Sequence, residues 1–164
     1  MTVICVNNFN YGMTGGQVGP TSPFEARTTT TPYGNFEHPF NLPYLVSASG
    51  ASYVARWTVL HARELEKAIA EAMTKPGFSF IDVISPCPPV YGRMNKEPKG
   101  LDSMHYYQEN SIIRNGADPK GADIDLNSPI VVGKFVDIER PTLWDHLRQV
   151  SSKAQEKAKA QAKV

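Results

Sequence analysis

An α/β fold built on a doubly wound, mostly parallel sheet is predicted by three features of the sequence. Strand and helix patterns alternate over the first half of the chain, the order that parallel strands joined by crossovers require. The segment Phe78 to Ser85 (FSFIDVIS) is apolar almost throughout, as in a strand covered on both faces. A glycine-rich turn, Gly12-Met13-Thr14-Gly15-Gly16, directly follows the first strand, and in such sheets ligands bind beyond the carboxyl ends of strands.

Taken in order, Thr2 to Val6 is a branched run that reads as a buried strand. It begins one residue after Met1, so the expectation is that the chain is half of a larger unit whose sheet edge needs a partner. Val18 to Pro43 is rich in proline, threonine and glycine and fits neither period. It reads as a long ordered loop that is functional or covered by a partner, with a plain solvent-exposed connector as the other reading. Asn41 can cap a short helix, Leu42 to Ser49, that Gly50 closes.

Ser52 to Trp57 forms the second strand. An amphipathic helix then starts at Thr58 or His61 and runs to Lys75, with Leu65, Ile69, Ala72 and Met73 on its apolar face; Pro76-Gly77 ends it. After the strand Phe78 to Ser85 the pattern weakens, with a short helix at Met104 to Asn110. Ile130 to Ile138 is one more strand and Thr142 to Val150 one more helix. Residues 1–150 are thus the folded domain, and 151–164 (SSKAQEKAKAQAKV) a charged, helix-prone or disordered tail without an apolar stripe. There is no internal repeat.

The composition narrows the partners. The chain has 164 residues, 41% hydrophobic and 20% charged, enough for one domain with its own core. A formal charge of +1 provides no field for nucleic acid, and no apolar run approaches a membrane span. With no secretory signal and two cysteines, Cys5 and Cys87, that read as reduced, the expected location is cytoplasmic. Cys5 reads as a small core hydrophobe.

The chemistry concentrates between Cys5 and Gln17. Carboxamide and backbone oxygens at a strand end are hard ligands suited to Mg²⁺, but neutral ligands bind it weakly and a carboxylate is required from elsewhere. On these residues alone, Asn7-Asn8 is equally a turn former and a metal site. Cys87, just past the third strand, reads as a buried structural thiol. Arg56 ends the second strand, where a surface ion pair, a contact with substrate and a contact with an adjacent loop are all open. RMNK, Arg93 to Lys96, is by default a solvated turn, with a contact to an anionic group or to a partner chain as the other reading. His38, His61, His105 and His146 carry no ligand spacing.

The blocks NNFNYGMTGGQ, TPYGN, GASYVARWT, KPGFSFIDVISPCP and YGRMNK, in this order, resemble the thiamine-diphosphate-binding β subunit of 2-oxoacid:ferredoxin oxidoreductases. The resemblance extends to about Pro141 and corresponds to the C-terminal half of that subunit, so the implied fold is a partial thiamine diphosphate-binding domain with its N-terminal half absent. YGRMNK and IVVGKFVDIERP lean toward the 2-oxoglutarate branch, 2-oxoglutarate synthase.

Several roles are implied by this resemblance. Asn8 would offer its side-chain oxygen, and Asn10 its backbone carbonyl, to Mg²⁺. Tyr11, Gly12, Met13, Thr14, Gly15, Gly16 and Gln17 would wrap the diphosphate, with Met13 nearest the substrate. Gly15 stands where some relatives carry lysine, so pairing with a substrate carboxylate must come from elsewhere. Cys87 would be one of four thiolates of a [4Fe–4S] cluster. The Gly-Asp-Gly aspartate and the cluster's CxxC belong to the absent half of the subunit, and the chain should not turn over alone.

The implied activity is CoA-dependent oxidative decarboxylation of a 2-oxoacid, or the reverse carboxylation, with electrons leaving through the cluster to ferredoxin. The cofactors are thiamine diphosphate, Mg²⁺ and the [4Fe–4S] cluster, with coenzyme A as cosubstrate. An α subunit carrying the pyrimidine-binding domain is the implied partner. Pyruvate or a branched-chain 2-oxoacid is the alternative substrate, and a non-catalytic assembly fragment the alternative role.

Overall fold

The computed structural model describes residues 1–161; the end of the expected tail, residues 162–164, lies outside the described residues. Its centre is a five-stranded sheet in the order β1-β3-β2-β5-β4. Strands β1 (Thr2–Asn7), β2 (Tyr53–Thr58) and β3 (Ser79–Ile84) run parallel, with β3 in the middle. Every residue of β2 and of β3 is buried, which explains their nearly continuous apolar composition.

Helices lie on both faces. The helix α2 (Ala62–Thr74) brings Ala68 and Ala72 against Tyr53, Ala55, Trp57, Ile81 and Val83, the odd-numbered positions of the central strands. The opposite face, with Val54 at its centre, packs beneath Val46 of α1 (Leu42–Ala48) and Ala122. Asn41 caps α1 as expected, its side chain accepting from the Tyr44 amide at 3.0 Å. Doubly wound and mostly parallel, the architecture is the expected one.

Four details differ from the sequence expectation. First, β1 is an edge strand, and Val3, Ile4 and Val6 are exposed instead of buried, because neither core cluster extends over its faces; Cys5 is half-buried rather than in the core. Second, β5 (Ile130–Asp137) pairs antiparallel with β2. Third, a strand not anticipated at all, β4 (Ser111–Ile113), follows directly on α3 (Gly100–Asn110) and adds to the outer side of β5. Three residues are too few to show a period of two.

Fourth, the last helix, α4 (Leu143–Gln161), continues past Val150 without a break. Alanine, lysine, glutamate and glutamine are strong helix formers, so the 151–161 segment extends the helix while staying exposed. Among the described residues no helix is long and apolar enough to cross a membrane.

At the antiparallel seam, Lys75 and Lys134 donate to Asp137 at 2.9 and 2.7 Å and hold its carboxyl below the usual range. This network lies on the β5 side of the sheet, away from the strand ends described next.

Candidate functional site

The end of β1 is shaped by an asparagine that the two-way reading of Asn7-Asn8 left open. Asn7 is the turn former: its buried Oδ1 accepts from the Phe9 amide at 3.2 Å and from Thr21 Oγ1 at 2.8 Å. Phe9 takes the left-handed conformation, φ 62°, which swings the chain out of the sheet. Asn8 is thereby released from the turn, and its carboxamide lies over Gly12.

The glycine turn is closed across its base. Tyr11 donates to the Gln17 carbonyl at 3.0 Å and Gly16 to the Tyr11 carbonyl at 2.9 Å. At the tip, Thr14 Oγ1 meets Gln17 Oε1 at 2.7 Å and Gln17 Nε2 meets the Thr14 carbonyl at 2.8 Å. Gly15 and Gly16 have φ of 117° and 83°, values that side chains disfavour. The amides of Gly12, Met13 and Thr14 donate to no acceptor among the described residues. Met13 is fully exposed and Tyr11 half-exposed. Successive undonated amides in a glycine turn form a concavity that fits a phosphate.

Cys87 converges on this turn. Measured from where a Gly12 side chain would begin, Asn8 Nδ2 is 3.1 Å away, Cys87 Sγ 3.4 Å and Asn10 Oδ1 3.6 Å. The Asn10 carboxamide is buried, and neither its nitrogen nor its oxygen has a partner among the described residues. Buried polar groups are normally satisfied, and this one, between the turn and Cys87, is open to a water or a ligand. The strand ends thus bring together Asn8, Asn10, Gly12 and Cys87, residues separated by most of the parallel sheet in sequence.

A metal or cluster is a harder fit for this chain alone. Among the described residues, no group of three or more His, Cys, Asp or Glu side chains could hold a metal ion. The donor set therefore fits one corner of a cluster and two neutral ligands of a magnesium ion. The glycine turn, by contrast, fits a diphosphate with the amides it already presents.

Arg56 makes the contact with an adjacent loop, and its ion pair is buried rather than at the surface. It is fully buried on the α1 face, with Nε 2.7 Å from Asp82 Oδ2 and Nη1 2.6 Å from the Ala122 carbonyl. With Asp82 beside it and the Ala122 carbonyl of the adjacent loop above it, the fully buried guanidinium makes no surface ion pair and reaches no strand-end surface.

Sequence reasoning did not find the residues that brace the turn. Thr29 donates to the Gly16 carbonyl at 3.0 Å, and the Val18 amide to Thr30 Oγ1 at 3.0 Å. Val90, in the π-helical turn Pro88–Gly92, fills the space a Gly16 side chain would need. Asn95 staples the 18–41 loop: it accepts from the Arg27 amide at 2.9 Å and donates to the Arg27 and Tyr91 carbonyls at 2.8 Å each. The loop is therefore tied both to the glycine turn and to the segment after β3. The one signal in the sequence was its run of threonines and asparagines, side chains that bond their own backbone.

The chain is similar to several known proteins over much of its length. The chain is 46% identical over 153 residues to the 2-oxoglutarate synthase subunit KorB of Methanocaldococcus jannaschii, covering 93% of this chain and 56% of the relative. It is 33% identical over 96 residues to the pyruvate synthase subunit PorB of Methanosarcina barkeri, covering 56% of this chain and 32% of that relative. Among solved structures, a 2-oxoglutarate:ferredoxin oxidoreductase from Magnetococcus marinus, with 2-oxoglutarate, coenzyme A and succinyl-CoA bound, superposes with a TM-score of 0.74 at 26% identity. That match covers 94% of this chain and 53% of that one. The chain spans about half the length of the relatives it matches. The pattern of the thiamine pyrophosphate enzyme C-terminal TPP binding domain matches residues 1–83, which hold β1, the glycine turn, the long loop and the central strands, and the chain belongs to that family.

Proposed function

We propose that this chain supplies the diphosphate cradle of a 2-oxoacid:ferredoxin oxidoreductase β subunit, acting on 2-oxoglutarate. The observation that carries the reading is the turn at Gly12 to Gly16, whose undonated amides stand beside Asn8, Asn10 and Cys87. Bound thiamine diphosphate would supply the electron sink for decarboxylation of the 2-oxoacid. The chain's own residues bind and orient. Asn8 Oδ1 and the Asn10 carbonyl serve Mg²⁺; the amides of Gly12 to Thr14 serve the diphosphate, joined by Thr14 Oγ1 once its hydroxyl turns from Gln17 Oε1; Tyr11 and Gln17 hold the turn closed. Met13, fully exposed at the tip, faces the substrate side.

Cys87 gives one thiolate to a [4Fe–4S] cluster whose other ligands, like the magnesium carboxylate, come from polypeptide outside this sequence. Coenzyme A accepts the acyl group, ferredoxin the electrons, and an α subunit binds the pyrimidine ring, in the cytoplasm. The 46% identity to a 2-oxoglutarate synthase subunit, against 33% to a pyruvate synthase subunit, supports the substrate assignment.

Assembled with its partner subunits, the protein is expected to reduce viologen faster with 2-oxoglutarate than with pyruvate; the opposite order overturns the substrate. Cys87→Ser in that complex should lose cluster iron and its EPR signal while retaining thiamine diphosphate. Full retention of iron would leave Cys87 a packing thiol. If neither Mg²⁺-dependent cofactor binding nor cluster absorbance is found, the chain has the assembly role instead.

A further inference from the structure

A second site lies beside the glycine turn. The cavity, about 580 Å³, is at the carboxyl edge of the sheet, bounded by Phe9 after β1, Tyr91 after β3 and Ile130 at the start of antiparallel β5. This volume is in the range of small-molecule sites. None of Asn8, Asn10 or Tyr11 to Gln17 lines it, so the inference stands apart from the cofactor reading.

Its walls are unusual in two independent ways. Phe9, Glu25 and Lys96 are the non-glycine residues with positive φ among the described residues, at 62°, 64° and 70°, and all three line this one cavity. Such conformations persist only where surrounding structure enforces them, and they cluster at ligand sites. Here the enforcement is visible: Asn95 ties the Arg27 segment to Tyr91, and the Glu97 amide donates to the Gly92 carbonyl at 2.6 Å. The cavity is preformed.

The second feature is its chemistry. Two aromatic pairs make the floor: Phe9 with Tyr91, centroids 5.4 Å apart, and Tyr106 with Tyr107 at 5.9 Å. Glu97, half-buried, lies against them, and the carboxylates of Glu25, Glu97 and Asp125 outnumber the exposed cations Arg27 and Lys96 at the rim. Aromatic faces with an adjoining carboxylate attract cations, through the ring quadrupole and through the charge.

We propose that this cavity binds a small organic cation with a flat or aromatic body, stacked on Tyr106, the one of its three tyrosines that is not buried, with its charge against Glu97. Burial pushes the Glu97 carboxyl up, a hydrogen bond from Ser103 opposes this, and Asp102 adds to the rise; a cation at this carboxylate offsets that desolvation. The 18–41 loop, which also braces the glycine turn through Thr29 and Thr30, forms one wall, so an occupant would stiffen both sites together.

Calorimetry on the full chain with three probes tests this: benzyltrimethylammonium, benzyl alcohol and benzoate. The cation should bind roughly tenfold more tightly than the alcohol, and benzoate more weakly than either. Glu97→Gln should weaken the cation roughly tenfold and leave benzyl alcohol unchanged. Lys96→Gly, which removes both a left-handed side chain and a like charge, should tighten the cation and keeps the test open if the first variant does not fold. No binding of the cation, benzoate binding as tightly as the cation, or a folded Glu97→Gln protein with undiminished affinity would each overturn the proposal.

Discussion

Asp82→Ala is expected to lower the unfolding free energy by about 3–5 kcal/mol, the cost of leaving a buried guanidinium without its counter-ion. Both partners of the Arg56–Asp82 pair are fully buried, on adjacent central strands in direct register. The charge of Arg56 has no water to turn to, and its remaining contact, the Ala122 carbonyl, carries only a partial charge. The pair is not an ideal one: Arg56 Nη2 and Asp82 Oδ1 have no partner among the described residues.

That imperfection makes a second expectation of opposite sign. In the double variant Arg56→Met, Asp82→Leu, both desolvation costs disappear together, and most of the lost stability should return. The Ala122 carbonyl remains unpaired, which holds the recovery about 1–3 kcal/mol short of complete. Urea unfolding of the wild type, the single and the double variant measures both. A loss below about 1 kcal/mol for Asp82→Ala would show that water reaches the pair.

Gly16→Ala is expected to weaken Mg²⁺-dependent thiamine diphosphate binding by roughly a hundredfold, or about 2.7 kcal/mol, in the assembled complex, with a smaller effect on the fold. Two costs combine. At φ 83° any side chain is strained, worth about 1 kcal/mol or more. The added methyl would also overlap Val90, with the Val90 Cβ itself 3.0 Å away.

The turn or the 88–92 segment must then shift, and either movement displaces the amides of Gly12 to Thr14 from the places a diphosphate requires. Val90→Ala added to Gly16→Ala should restore roughly tenfold of the affinity, because it relieves the overlap and leaves the backbone strain. Equilibrium dialysis of the cofactor reads both variants. Unchanged affinity in Gly16→Ala would remove the glycine turn from the cofactor site.

The parallel strands and crossover helices were legible because their periods are local. A strand buried on both faces must be apolar throughout, and Phe78 to Ser85 is. The Gly-Met-Thr-Gly-Gly turn was legible because left-handed backbone requires glycine, and Gly15 and Gly16 adopt it. Cys87 could be placed near the turn from topology alone, since parallel strands end on one edge.

What the sequence by itself determined, then, is the backbone order and the chemistry of the strand ends. Tertiary structure alone decided which residues are covered and which charges are paired. Val3, Ile4 and Val6 have the same character as the core of β3, yet they lie exposed and join neither core cluster. Arg56 was expected at the strand-end surface and is buried, since burial depends on what packs above a residue, here Ala122 and Asp82, both distant in sequence. The direction of β5, the three-residue strand β4 and the partition of Asn7 and Asn8 between turn and site follow from the same cause. Each depends on hydrogen bonds to residues far along the chain, and no local pattern encodes a partner that only folding brings near.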